Sequence, residues 1–87
     1  MSQIGGELEQ MQVLKGTFDR ESANVRELLA TVRGQLDNTW WVGPAAERFR
    51  GAWAGEFEPM LNRLAESLDE AGIEVQRRRD ALDAAGR

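Results

Sequence analysis

A single strong break, Asn38-Thr39-Trp40-Trp41-Val42-Gly43-Pro44, separates two long helical periodicities in this chain and leaves few folds open to it. Upstream, Ile4, Leu8, Met11, Phe18, Val25, Leu29, Val32 and Leu36 follow alternating steps of four and three, with Lys15 and Ser22 filling the gaps. Apolar residues at that spacing share one helical face and, so sustained, form a heptad seam. Leu14 and Leu28 flank the seam at equivalent positions and widen it, as suits a helix touching two neighbours. Glu9, Asp19, Arg20, Arg26, Glu27 and Arg33 read as the solvated face. No two-residue alternation competes, so the fold class is all-α.

Downstream, the apolar residues Ala46, Phe49, Trp53, Phe57, Met60, Leu64, Leu68, Ala71 and Val75 step by three, four and four, continuing weakly through Arg78 to Leu82. That is an eleven-residue period, close to the straight α-helix repeat. Leu61 and Ile73 widen this face, and Phe49, Trp53 and Phe57 read as core. Pro59 interrupts it: the ring presses on the carbonyl of Gly55 and removes a hydrogen bond. With Gly51 and Gly55 nearby, a kink is expected, a break before Met60 being the alternative.

Between the two patterns the connection is short. Asn38 and Thr39 end the first helix, and Pro44 suits the first position of the second, with Gly43 as its N-cap. Glu47 in the first turn favours the helix dipole. The expectation is an antiparallel helix-turn-helix hairpin: helix one over about 3–38, a turn at about 39–43 and helix two over about 44–84. At about 1.5 Å per residue it is a rod of roughly 50–60 Å. A pair of helices buries only the strip between them. A second hairpin is therefore expected to cover the rest, giving a dimeric four-helix bundle. Phe18, Val25, Leu29, Val32, Leu36, Phe49, Trp53, Phe57, Met60, Leu64 and Leu68 are its expected core and interface.

Composition excludes much chemistry. Cysteine, histidine and tyrosine are all absent. The usual nucleophile activators, near-neutral bases and transition-metal ligands go with them, so neither an enzyme nor a metal or cofactor site is expected. Net charge is −4 and the single basic run, Arg77-Arg78-Arg79, spreads around a helix rather than forming a patch. Nucleic acid is not an expected partner, nor is a small-molecule substrate. The N-terminal stretch has no basic region followed by an apolar one, and no apolar run suits a membrane span.

Trp41-Val42-Gly43, with Pro44-Ala45-Ala46, Phe49 and Trp53 after it, resembles the Trp-X-Gly turn and helix-two opening of the WXG family. These small proteins, similar to the early secreted antigens of mycobacteria, are linked to type VII secretion. The resemblance covers essentially the whole chain. It implies a hairpin that pairs with a second WXG-type hairpin and is secreted without a cleaved signal peptide. It also implies that Trp41 and Gly43 form half of a composite export signal, read by the type VII secretion ATPase.

In that family the other half is a partner's C-terminal tail carrying Tyr, three residues, then Asp or Glu. This chain has no tyrosine, and neither Val75 with Arg79 nor Gln76 with Asp80 fits. A heterodimer whose partner brings the tail is therefore expected over a homodimer. Two other functions fit the same pattern: a cytoplasmic helical adaptor or chaperone for a larger type VII effector, and an unrelated structural coiled coil. Trp41 and Gly43 could also simply close the hairpin, and Trp40 could cover the bundle end or stand exposed.

Overall fold

The computed structural model describes the backbone of residues 2–86 and side chains from residue 5 onward, so Ile4, the first seam position, has its side chain outside the described residues. The chain is helical on both sides of one turn. Helix α1 spans Ser2–Asn38, and α2 spans Pro44–Ala52. A π-helical turn, Trp53–Phe57, leads without a break into α3, Glu58–Ala85. No strand occurs among the described residues.

Cross-helix pairs set the direction. Asp19 approaches Gly72, the Ser22 hydroxyl donates to the Ala65 carbonyl, and Arg33 pairs with Glu58. Numbers rise on one arm as they fall on the other, so the arms are antiparallel. The molecule measures 64 × 17 × 13 Å, with a radius of gyration of 19.3 Å against about 12 Å for a compact chain of this length. It is a thin rod. No helix among the described residues is long and apolar enough to cross a membrane.

In α1 the line facing the other arm is the heptad read from the sequence. Leu8, Met11, Lys15, Phe18, Ser22, Val25, Leu29, Val32 and Leu36 are all buried or half-buried, including the two polar gap-fillers. Ser22 is buried outright at 1% exposure because its hydroxyl finds a carbonyl partner across the interface, at 3.1 Å.

The second arm departs from expectation. Its inward line is Ala46, Arg50, Trp53, Glu58, Leu61, Ala65, Leu68, Gly72, Val75, Arg79 and Leu82, each buried or half-buried. This is a heptad too, with one residue inserted at the π turn. Of the eleven-residue seam, Phe49, Phe57, Met60 and Leu64 face outward and are exposed, while Ala46 and Trp53 are buried and Leu68, Ala71 and Val75 are half-buried. Size contributes locally: Ala65 against Ser22, and Gly72 beside Phe18 and Asp19, let the two arms approach closely at those positions.

The π turn also resolves the conflict at Pro59. The Glu58 amide donates to the Trp53 carbonyl, five residues back rather than four. A wider turn just before the proline lets the helix continue past a residue that lacks an amide hydrogen, and a single π turn is a common way for a helix to absorb an extra residue. The break before Met60 does not occur.

Candidate recognition turn and apolar flank

The tip of the hairpin is built around Gly43. Its φ of 113° and ψ of 175° lie where L-residues with a side chain are strained, and glycine is not. From there the chain enters α2 with Pro44 in the first turn, and the Glu47 amide donates to the Gly43 carbonyl at 3.0 Å. Such a start needs no side-chain cap, and none is present.

Trp41 stands on this turn, half covered at 40% exposure, its ring 5.9 Å from that of Phe49 and tilted by 47°. Trp40 is 89% exposed and Val42 is 67% exposed. Trp40 is thus the exposed neighbour, not the bundle-end cover. The tip presents three consecutive apolar residues to solvent, of which only Trp41 is held.

What holds it is Arg50, a residue the sequence reading passed over. Its Nη1 donates to the Trp41 carbonyl at 2.6 Å, and its Nη2 to the carbonyls of Leu36 and Thr39 at 2.9 and 3.1 Å. The guanidinium carbon lies 5.8 Å from the centre of the Trp41 ring, within cation–π range. The last turn of α1 carries no basic residue of its own, so Arg50 supplies from the other arm the cation that helix C-terminus favours. No spacing marked it, because the inward line on which Arg50 sits emerges only with the phase shift at the π turn.

Below the turn, Trp53 is 9% exposed and its indole Nε1 donates to Glu58 Oε2 at 3.2 Å. The same oxygen accepts from Arg33, at 2.7–2.8 Å. An open cleft of about 230 Å³ lies among Arg33, Leu36, Asp37, Arg50, Trp53 and Glu58, in which Arg33 and Glu58 pair with each other and Arg50 is bound to backbone carbonyls.

Along the rod the two edges differ. On one edge the residues that follow Phe18, Val25 and Val32 on α1 and Leu61, Leu68, Val75 and Leu82 on α3, namely Asp19, Arg26, Arg33, Asn62, Asp69, Gln76 and Asp83, are all polar. Arg26 pairs with Asp69 here at 2.8 Å. The hydrogen bond from Arg26 holds the Asp69 carboxyl below its ordinary range, and the same contact raises Arg26. The opposite edge is formed by residues that precede seam positions. Leu14, Leu28, Phe49, Phe57 and Leu64 lie there, with Met60 beside them and Glu21, Gln35 and Arg78 interspersed. The six apolar ones are 40–53% exposed.

Of the expected interface residues, Leu29 and Trp53 are buried inside the hairpin. Phe18, Val25, Val32, Leu36 and Leu68 are half-buried there. Phe49, Phe57, Met60 and Leu64 form the outer apolar flank instead. Trp41 and Gly43 meet at the tip. Comparison with protein-family models, with curated proteins and with solved structures finds no match to this chain.

Proposed function

We propose that this chain is a non-enzymatic WXG-type protein of a type VII secretion system, acting as substrate or secretion partner through protein–protein contacts. Its Trp41-Val42-Gly43 turn is half of an export signal, and a second WXG-type hairpin, preferentially a different chain, supplies the other half. The observation that carries this reading is the turn itself. Trp41 is fixed by Arg50 and Phe49 yet remains accessible, and Gly43 adopts a conformation that favours glycine.

The outer flank supports the pairing. The rod exposes 6311 Å², whereas a compact monomer of 9.7 kDa exposes about 5,100 Å². The excess of about 1,200 Å² exceeds the roughly 800 Å² that each partner buries in a standard interface. Much of the exposed apolar area lies on one edge, near the turn, in Leu28, Phe49, Phe57, Met60 and Leu64, while ion pairs line the other edge. A partner hairpin seated on the apolar edge completes a four-helix bundle and leaves the charged edge to water.

The test is the culture medium of the producing cells. The wild-type chain is expected there only when the secretion ATPase is intact. Trp41→Ala is expected to keep helicity and pairing but to be retained in the cell. Export independent of the ATPase, or unaffected by Trp41→Ala, overturns the reading.

A further inference from the structure

The tip of the hairpin has almost no fastening of its own. Among the described residues, the only backbone–backbone hydrogen bond at the connection runs from the Glu47 amide to Gly43, at the start of α2. The Thr39 hydroxyl turns back to the Gln35 carbonyl within α1. What spans the connection from outside is one guanidinium, which gathers the carbonyls of Leu36, Thr39 and Trp41 while lying against the Trp41 ring. Its position is costly on packing grounds, because it occupies the inward line between Ala46 and Trp53, where an aliphatic side chain would fill space.

We propose that Arg50 is the positioning residue of the recognition turn: it selects Trp41 over the adjacent Trp40 and sets the pose in which the indole meets the export machinery. This rests on the reading of the turn as a recognition element. The two tryptophans are neighbours in sequence, yet Trp40 has neither the cation nor the ring contact and is 89% exposed. A planar fork is needed for three carbonyls that point from different directions. Lysine keeps the charge but not the fork, so it cannot reproduce the arrangement.

The experiment uses the full chain, labelled with ¹⁵N, in which the indole N–H signals of Trp40, Trp41 and Trp53 are followed separately. In Arg50→Met, the Trp41 indole is expected to become as mobile as that of Trp40, with Trp53 and the helical circular dichroism unchanged. Arg50→Lys should fall between. If Arg50→Met fails to fold, Arg50→Gln provides the same readout. A Trp41 indole as ordered as in the wild type overturns the proposal.

Export supplies the second arm. Arg50→Met should lower secretion about tenfold relative to Val75→Ala, a seam change toward the far end of the rod chosen to match its loss of Tm. Equal secretion by the two shows that Arg50 acts only through stability and overturns its positioning role. Normal export of Trp41→Ala, in contrast, removes the recognition reading while leaving the indole measurement to stand on its own.

Discussion

Arg33 and Trp53 meet on one oxygen of Glu58, the guanidinium at 2.7 Å and the indole nitrogen at 3.2 Å. The pair ties α1 to the second arm at the place where the heptad of that arm slips by one residue. Glu58→Leu strands a largely buried indole N–H and is expected to cost about 1–3 kcal/mol. Glu58→Gln keeps an acceptor for Trp53 and should cost less. Urea denaturation at one fixed protein concentration distinguishes them.

The backbone at Gly43 makes a stereochemical prediction. Nothing lies within 4 Å of a Cβ built there, so any penalty for a side chain is torsional rather than steric contact with neighbours. Gly43→Ala should destabilise by about 1–3 kcal/mol. D-alanine at the same position, whose allowed map is the mirror image, should restore most of the loss. Chemical synthesis of both peptides and thermal melting decide it.

Glycines within the helices divide into two kinds. A Cβ at Gly72 would come within 2.9 Å of Asp19 Oδ1 and 3.6 Å of Phe18 Cβ, whereas at Gly16 and Gly34 it meets open space. Gly16→Ala or Gly34→Ala should stabilise by about 1 kcal/mol through helix propensity. Gly72→Leu should cost about 1–3 kcal/mol by forcing the arms apart. If all three substitutions stabilise, the close approach at Gly72 is wrong.

The charged edge predicts a pH dependence. Because the Asp69 carboxyl is held below its unfolded value by Arg26, its contribution is present above the ordinary carboxylate range and is lost as pH falls through the lowered folded value. Asp69→Asn should therefore be less stable than wild type near neutrality, with the gap closing as the solution is acidified below about pH 4. A gap that widens on acidification contradicts the assignment. Thermal melts across that range measure it.

Much of this fold is legible in the sequence. The α1 seam could be read even through Lys15 and Ser22, because a heptad tolerates a polar residue whose group finds a partner. Gly43-Pro44 marked the helix start because both residues restrict backbone geometry locally. The inward line of the second arm was not legible for two physical reasons. Large apolar side chains at Phe49, Phe57, Met60 and Leu64 outweigh small ones in any hydrophobic pattern, yet the close approaches between the arms fall at Ala65 and Gly72. The π turn then shifts the phase by one residue, which makes an eleven-residue spacing emerge from two heptads. Arg50 was hidden because its role depends on where the turn brings three carbonyls, and no spacing encodes that.

In the proposed pairing, Leu28, Phe49, Phe57, Met60 and Leu64, exposed on the single hairpin, are covered by a second one. Sedimentation of the purified chain at micromolar concentration, alone and mixed with a second WXG-type hairpin, tests that most directly. The expected result is that every fully helical, cooperatively melting species has the mass of two hairpins, that its Tm rises with concentration, and that Leu64→Glu abolishes it. A sharply monomeric 9.7 kDa species with full helicity and a cooperative melt, indifferent to Leu64→Glu, would contradict it.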